Sequence, residues 1–560
     1  MIHSVPPRPA TADWLDKWFV ALAWLVSGLI LFFNLGAAPL TDLDEGAFSE
    51  ATREMLVRGD FISPWLLDDP RFDKPVLIHW LQMAAFSVTG LTPLGARLPS
   101  AIMGLIWIGG IAGWAYAIAG RLVPQVRLQV YGWAVLMAGS CIGIPAMSRA
   151  ATADATLNAF LVLILFFTWR ALWPAHQTES GRLWIRLAAV CVALGLLTKG
   201  PIAVLVPAAA SLIAVALCGR ALMTRWMRLC LDPVAWGVVA LIAAPWYVLQ
   251  FQAQGMPFIE GFLGLHNLGR FTSTMHGFSA GPLYYPTWML IASLPWTIMM
   301  VATLLLALQD SAAGRLLRSP ELRMCWATFL FVLVFFSFSA TKLPHYGFYG
   351  LSGLVVLMSL LTAVHPPKWS TLMLSLLALL GLIGFLLHPL GLTKLTQQIQ
   401  DPYHQVVLSD ALVQLQARQA LFTGLALAGL LACLIGVRHL RLGLLGACLA
   451  LGVAVYGVTV PTVMQALRNP IVEIAHYIRE RASDISSVAP KRVITWRLTA
   501  PSLSFAARQV ITASTPAEGD WVVMPSHLIS ELPQREREKH SVLFEKSGIS
   551  LVEIRPRGHL

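Results

Sequence analysis

Charged side chains are scarce in this chain. Of its 560 residues, 12% are Asp, Glu, Lys or Arg, whereas 57% are hydrophobic. A soluble protein of this length carries roughly 25% charged residues, so the composition excludes a water-soluble globular enzyme. Apolar stretches of about 20 residues recur, which is the length that a helix needs to cross a bilayer. The chain is therefore predicted to be a polytopic α-helical membrane protein.

Cysteine is also sparse, and its positions exclude two further classes of protein. All seven cysteines lie in or beside apolar segments, and none lies in the polar C-terminal region. This distribution indicates neither a disulfide framework nor a thiolate metal site.

The net charge of +11 does not imply nucleic-acid binding, because basic residues of a membrane protein concentrate on its cytoplasmic loops. The first apolar segment, Trp18 to Gly36, is expected to be a retained anchor.

About thirteen membrane-spanning helices are predicted from length and hydropathy. They lie near 18–36, 96–119, 128–146, 154–173, 184–198, 201–218, 234–252, 283–308, 324–340, 344–363, 370–390, 418–436 and 442–463. The arginine-rich connections around 121–127, 182–186, 220–228, 315–323 and 438–441 are assigned to the cytoplasm. The N-terminus is then cytoplasmic and the C-terminus external. The stretch 76–90 is too short to cross, and we expect it to lie along the outer interface.

The composition changes after Pro461, where apolar stretches of spanning length end. We expect an amphipathic helix over 470–482 and short strands over 492–498, 521–524 and 549–554. The predicted division is a transmembrane domain over 1–463, with an external juxtamembrane segment over 37–93, and a small extramembrane α/β domain over 464–560.

Unusual polar groups gather on the predicted outer face. They are Asp42, Asp44, Glu45, Asp73, Lys74, Asp154, Lys199, His266, Arg270, Lys342, His345 and Tyr346. Ionisable groups beside lipid are costly and tend to mark function. Cations suit a phosphate, and carboxylates suit a general base, a metal or the polar groups of a sugar. The pattern predicts an interfacial cavity for a phospholipid-like or polyprenyl phosphate.

Simpler interpretations exist for several of these residues. Each lysine, taken alone, also fits an interfacial residue that extends its ammonium group to water. Asp154 also fits a helix N-cap that pairs with Arg149. Glu50, Arg53 and Glu54 are expected to form the solvated face of a helix.

A set of short motifs over about the first 350 residues supports the interpretation of a lipid-phosphate site. They are Asp44-Glu45-Gly46, Phe72-Asp73-Lys74-Pro75, Ala96-Arg97-Leu98-Pro99-Ser100, Thr198-Lys199-Gly200-Pro201, His266-Asn267 with Arg270-Phe271, and Lys342-Leu343-Pro344-His345-Tyr346. Together they resemble the bacterial lipid-linked glycosyltransferases of GT-C architecture, in the protein-mannosyltransferase-like family that includes the aminoarabinose transferases of lipid A. That family usually has glutamate where this chain has Asp73.

The resemblance implies a donor, a sugar carried on undecaprenyl phosphate, and a reaction on the periplasmic side of the bacterial inner membrane. In the aminoarabinose transferases the acceptor is a phosphate of lipid A, and the sugar is transferred with inversion. The implied partners are this donor, lipid A and the bilayer, and the protein is expected to act as a monomer.

Roles follow from the resemblance together with the chemistry of each side chain. Asp44 is expected to be the central catalytic carboxylate and Asp154 the second. Lys74 and Arg270 are expected to hold the donor phosphate, and Lys199, Lys342 and Tyr346 are further candidates for the same role. Asp42, Glu45 and His345 are candidates for contacting the sugar or acceptor, and Asp73 and His266 are candidates for a divalent metal such as zinc. Asp44 would act as a general base toward a hydroxyl acceptor, or position the donor if the acceptor is a phosphate.

Two alternatives remain open at this point. One is a transferase of the same architecture that moves another sugar to a protein or glycan hydroxyl. The other is a flippase for the lipid-linked sugar, although such transporters usually place ionisable groups near the bilayer midplane, often in repeated halves.

Overall fold

The computed structural model describes residues 10–174, 181–269, 281–365, 381, 402–484, 491–537 and 539–555. Over these residues the chain is a bundle of apolar helices followed by a small sheet. The predicted class, a helical membrane protein with a C-terminal α/β part, is confirmed.

Eight helices among the described residues are long and apolar enough to cross a membrane. They are Asp13–Phe32, Pro93–Leu122, Asp154–Leu172, Pro233–Gln254, Pro320–Ser337, Pro344–Val364, Gln419–Arg438 and Leu440–Arg481. Each coincides with one predicted span.

Four further predicted spans coincide with helices that are shorter, interrupted or more polar. These helices are Arg127–Ser140 with Gly143–Ser148, Arg182–Lys199, Ile202–Cys218, and Tyr284–Ala292 with Thr297–Ala307. The predicted span 370–390 lies outside the described residues, apart from residue 381. The total of about thirteen crossings therefore stays a prediction.

The juxtamembrane segment folds into short elements between the first two long helices. A five-residue π-helix, Asp42–Gly46, leads into the helix Ala47–Arg58. Strands β1 (Trp65–Leu66) and β2 (Asp69–Pro70) pair in antiparallel fashion. The helix Leu77–Thr89 has 13 residues, too few to cross a bilayer. The helix expected over 76–90 is therefore present, and its position at the membrane interface stays a prediction.

The helix Ala47–Arg58 is buried on its charged side, so the prediction of a solvated face was wrong. It packs against both the helix Leu77–Thr89 and the C-terminal helix Pro501–Ala507. Glu50 is 0% exposed and accepts two hydrogen bonds of 2.7 Å from Arg53. The opposite charges of this pair allow both side chains to be buried.

The C-terminal region contains a four-stranded sheet in the order β3-β4-β6-β5. The strands are β3 (Val493–Thr495), β4 (Trp521–Pro525), β5 (His540–Lys546) and β6 (Ile549–Ile554). Strands β3 and β4 are parallel, and the other pairs are antiparallel. Strand β5 was missed by the sequence analysis.

One helix, Val460–Asp484, connects the membrane-embedded body to this sheet. Its second half carries the predicted amphipathic pattern, and Ile471, Ile474 and Ile478 pack into the core beneath the sheet. The predicted domain boundary at 463 falls near the start of this helix, and the division into two domains stays a prediction.

Candidate functional site

Three acidic side chains project in different directions from the π-helix Asp42–Gly46. π-Helical turns are rare and are frequently found at functional sites. Asp42 and Glu45 are buried, whereas Asp44 is exposed. The turn therefore separates one open carboxylate from two enclosed ones.

Glu45 is enclosed by an ion pair with Arg97. Two guanidinium nitrogens of Arg97 donate to the two carboxylate oxygens, at 2.6 and 2.7 Å, and the Ala151 amide donates to the same carboxylate at 2.9 Å. Arg97 also donates to the carbonyls of Leu35 and Ala38. Burial alone would raise the pKa of Glu45, but Arg97 lowers it. These contacts favour a structural role over contact with sugar or acceptor.

Asp42 is enclosed by residues from the C-terminal region. Its carboxylate pairs with Arg468 and accepts hydrogen bonds from the Ser502 hydroxyl and, at 3.1 Å, from the Ser502 amide. Burial raises the pKa of Asp42, and these partners oppose the rise. As with Glu45, the contacts favour a structural role over the sugar or acceptor role suggested by sequence.

Asp44 opens into a cavity of about 280 Å³ that Asp154 and His345 also line. Within the described part of the chain, its carboxylate forms no hydrogen bond or ion pair. Burial and the nearby Asp154 carboxylate raise the pKa of Asp44, while the cations of Lys199, Arg71 and Lys74 oppose this rise. Asp44 is thus an unpaired carboxylate within electrostatic range of both the lysines and the second carboxylate predicted from sequence.

Asp154 and Lys199 form another buried pair. The Lys199 ammonium lies 2.5 Å from an Asp154 oxygen and 3.1 Å from the Tyr349 hydroxyl. His345 Nε2 lies 3.8 Å from the same Asp154 oxygen. The Lys199 ammonium also lies over the ring of Tyr346, 5.8 Å from its centroid. Tyr349 was missed by sequence reasoning; it lies one helical turn beyond His345 and Tyr346.

A larger cavity, of about 470 Å³, is lined by Lys199, whereas its partner Asp154 lines the cavity of Asp44. The lining of the larger cavity combines apolar and polar side chains, and includes Lys74, Lys199, His266, Tyr346, Leu205, Leu263, Phe335 and Phe336. A mostly apolar cleft with a few convergent polar groups is typical of a ligand site. Here the combination suits a long apolar chain that ends in an anion.

Arg71 belongs to the same charged cluster as Asp44, Lys74 and Lys199, although the sequence analysis did not single it out. It holds both carboxylate oxygens of Asp73, at 2.6 and 2.9 Å, and stacks on the Phe48 ring at 4.5 Å. Its third nitrogen, Nη1, is buried without a hydrogen-bond partner among the described residues. Burial would raise the pKa of Asp73, but Arg71 and Lys74 lower it. No motif or helix-end position distinguished Arg71 in the sequence.

The metal site predicted at Asp73 and His266 does not fit the contacts of Asp73. Both residues line the larger cavity. However, Arg71 already occupies both Asp73 oxygens, and Lys74 lies 3.6 Å away, so a further cation would meet two positive charges. Over the described ranges, no group of three or more His, Cys, Asp and Glu side chains is placed to hold a metal.

Lys342, one of the predicted phosphate-binding cations, does not join the cluster. Lys342 donates to the carbonyls of Ser337 and Ser339, at 2.8 Å each. It therefore caps the end of the helix Arg323–Ser337, a common position for lysine. Arg270 lies outside the described residues. Arg149 does not pair with Asp154 but donates to carbonyls, including that of Leu31.

The amino-acid sequence is similar to a transferase family model and to curated arabinosyl transferases. A family model described as dolichyl-phosphate-mannose-protein mannosyltransferase matches residues 73–248. Undecaprenyl phosphate-alpha-4-amino-4-deoxy-L-arabinose arabinosyl transferase 2 of Pseudomonas fluorescens is 27% identical over 365 residues, covering 63% of this chain and 59% of that protein. The corresponding Erwinia tasmaniensis enzyme is 27% identical, covering 59% of this chain and 56% of that protein. The chain thus spans less than two thirds of the length of these curated relatives.

The structural match extends over nearly the whole chain. ArnT from Cupriavidus metallidurans, in a crystal structure with bound undecaprenyl phosphate, matches with a TM-score of 0.76 at 20% identity, covering 97% of this chain and 98% of that one. The fold is the GT-C fold of lipid-linked glycosyltransferases. An oligosaccharyltransferase of Archaeoglobus fulgidus is a more distant match to the same GT-C fold, with a TM-score of 0.53 at 12% identity, covering 93% of this chain and 71% of that one.

Proposed function

We propose that this chain is a glycosyltransferase of the bacterial inner membrane that takes a sugar from undecaprenyl phosphate. The sugar is 4-amino-4-deoxy-L-arabinose, and the acceptor is a phosphate of lipid A on the periplasmic side. The observation that supports the proposal most directly is the open Asp44 carboxylate. It lies within electrostatic range of Lys74 and Lys199, both of which line a largely apolar cavity.

The donor is proposed to bind with its prenyl chain in the larger cavity, against Leu205, Leu263 and Phe335. Its phosphate would then meet Lys74 and Lys199, which line the same cavity. Arg270 is proposed as a further phosphate ligand from the motif resemblance alone. Ammonium groups fixed beside a leaving phosphate stabilise the charge that grows on it in the transition state.

The transfer step is a single displacement. An oxygen of the acceptor phosphate attacks the anomeric carbon of the sugar, and the bond from that carbon to the oxygen of undecaprenyl phosphate breaks. Undecaprenyl phosphate leaves with the bonding electron pair, so the anomeric configuration is inverted. A phosphate oxygen is already anionic, so the step needs no general base. Asp44 is then proposed to hold the ammonium group of the sugar, and Asp154 to fix Lys199.

The test is reconstitution of the full chain in lipid nanodiscs with undecaprenyl-phosphate-linked aminoarabinose and lipid A. Mass spectrometry is expected to find lipid A heavier by one aminoarabinose, with free undecaprenyl phosphate released in equal amount. Asp44→Asn serves as the inactive control. Donor consumption with unchanged lipid A would contradict the proposed acceptor.

A second function is favoured by the description of the matched family model, dolichyl-phosphate-mannose-protein mannosyltransferase, which names protein as the acceptor. In this alternative another sugar passes to a protein or glycan hydroxyl, and Asp44 removes the hydroxyl proton as a general base. Adding a peptide mixture to the same reconstitution distinguishes the two, because only the second function yields a glycosylated peptide.

A further inference from the structure

A third cavity lies where the C-terminal region meets the membrane-embedded body. It has a volume of about 220 Å³ and is separate from the two cavities described above. Its walls come from the connection before the π-helix, from the turn at 91–93, and from the helices Val460–Asp484 and Pro501–Ala507. Its ionisable lining is entirely basic and consists of Arg468, His476, Arg479 and Arg508. We call this set the basic cavity.

The basic cavity has fewer counter-charges than cations. Arg468 pairs with Asp42, but its Nε is buried without a hydrogen-bond partner in the described part of the chain. Among the described residues, the side chains of Arg479 and Arg508 form no hydrogen bond or ion pair. Gathering like charges costs free energy through repulsion. Three guanidinium groups around one small cavity therefore indicate an anionic ligand.

The backbone holds Arg508 at the cavity in a conformation that is unusual for arginine. Arg508 ends the helix Pro501–Ala507 with φ of 58°, in the left-handed region where glycine is favoured. Its carbonyl accepts a hydrogen bond of 3.3 Å from Arg53, which anchors this turn to the juxtamembrane helix. The turn therefore presents a long cationic side chain where a glycine would fold more easily.

We propose that the basic cavity binds a phosphate group of the acceptor lipid. Guanidinium groups match phosphate oxygens in pairs of parallel hydrogen bonds, and arginine is the usual choice for such recognition. The cavity is smaller than the clefts of about 300–1,000 Å³ that enclose drug-sized ligands, so it takes a phosphorylated headgroup and leaves the acyl chains in the bilayer. This inference rests on the proposed function, because it names the anchor for the acceptor of that reaction.

The basic cavity adjoins the cavity of Asp44 through two shared elements. Met464 lines the Asp44 cavity and Arg468 lines the basic one. These residues lie four positions apart on one helix, about 6 Å along its axis. In addition, the Asp42 carboxylate that holds Arg468 lies two residues before Asp44 in the same π-helix. A headgroup anchored by one phosphate in the basic cavity can thus extend its remaining groups toward Asp44.

The test compares acceptor and donor binding by the full chain in nanodiscs. The probes are diphosphorylated lipid A, the same lipid after enzymatic dephosphorylation, undecaprenyl phosphate and inorganic phosphate. The double variant Arg479→Gln/Arg508→Gln is expected to bind diphosphorylated lipid A on the order of 10-fold more weakly or worse, because hydrogen bonds to charged groups are lost. Its affinity for undecaprenyl phosphate is expected to stay within about twofold.

Arg481→Gln is the matched control, because Arg481 lies on the same helix but outside the cavity and stacks on Tyr477. It is expected to bind all four probes as the wild type does. If the double variant still preferred diphosphorylated over dephosphorylated lipid A as strongly as the wild type does, the inference would be overturned. The proposed donor, undecaprenyl-phosphate-linked sugar, would be unaffected by that result. Equal affinity of the wild type for inorganic phosphate and for the lipid would also overturn the inference, since the cavity would then be a site for free phosphate.

Discussion

Asp44 and Glu45 are neighbours in one π-helix, yet their surroundings differ in almost every respect. Glu45 is buried and bonded to Arg97 through both oxygens, and its pKa is lowered. Asp44 opens into a cavity, carries no ion pair among the described residues, and has a raised pKa. The comparison teaches that a carboxylate in this turn is available to a ligand only where the fold leaves its charge unmatched. Its enclosed neighbours hold the turn in place.

The largest effect is expected from removing the open carboxylate. Asp44→Asn keeps the shape of the side chain but removes its charge, so transfer is expected to fall by about 10³-fold, the upper end of the range for losing one electrostatic contact at a reacting centre. The measurement is the rate of donor consumption by protein reconstituted in nanodiscs. Asp69→Asn changes an exposed carboxylate of the same segment and is expected to leave the rate unchanged. Comparable losses in both variants would remove Asp44 from the mechanism.

The enclosed carboxylate is expected to affect stability instead. Glu45→Gln leaves Arg97 as a buried charge without its partner, which costs about 3–5 kcal/mol in the free energy of unfolding. Denaturant unfolding of the detergent-solubilised protein measures this loss. The double variant Glu45→Gln/Arg97→Gln is expected to recover part of the stability, because no uncompensated charge remains. An unchanged midpoint in the single variant would show that the pair does not hold the π-helix.

Lys74 and Lys342 extend the comparison between a charged group that faces a cavity and one that the fold encloses. Lys74 lines the larger cavity, whereas Lys342 caps a helix. Lys74→Gln is expected to lower kcat/KM by about 10²-fold, as when one donor to a developing anion is removed. It should also weaken the binding of undecaprenyl phosphate. Lys342→Gln is expected to lower the melting temperature with a smaller effect on donor affinity, and the reverse pattern would exchange the roles assigned to the two lysines.

The smallest effect concerns pH. Since burial and Asp154 raise the pKa of Asp44 above its ordinary value of 3.8, the folded state favours the protonated form. The contribution of Asp44 to stability is therefore full below pH 3.8 and is lost as the pH rises through the raised value. Asp44→Asn is expected to match the wild type in melting temperature at low pH and to exceed it increasingly toward neutral pH. A difference that narrows with rising pH would contradict the raised pKa.

Much of the candidate site could be predicted from sequence, because charges beside lipid stand out against an apolar background. Asp44, Lys74, Asp154 and Lys199 were singled out in this way, and the structure brings them within electrostatic range of one another. Their chemical roles stay predictions. The pattern did not predict which of the neighbouring carboxylates is open. That outcome depends on distant residues, because Glu45 pairs with Arg97, 52 positions away, and Asp42 accepts hydrogen bonds from Ser502, 460 positions away.

The errors have a common physical origin. Glu50 and Arg53 were expected in water because local sequence does not reveal that a C-terminal helix covers them. Lys342 was expected at the phosphate because capping by carbonyl oxygens depends on where the chain turns after Ser337. Strand β5 was missed because it is only partly buried and alternates weakly between polar and apolar residues. In each case tertiary packing decided the outcome.

The helix Val460–Asp484 runs continuously from the Asp44 cavity to the core beneath the sheet, and it carries Arg468 between them. This continuity constrains how the chain can be recombined with its relatives. A chimaera that took its sheet and the preceding helix from a relative would have to keep residues equivalent to Arg468 and Ser502. Otherwise the buried Asp42 carboxylate would lose its partners, two positions from the carboxylate proposed to hold the sugar.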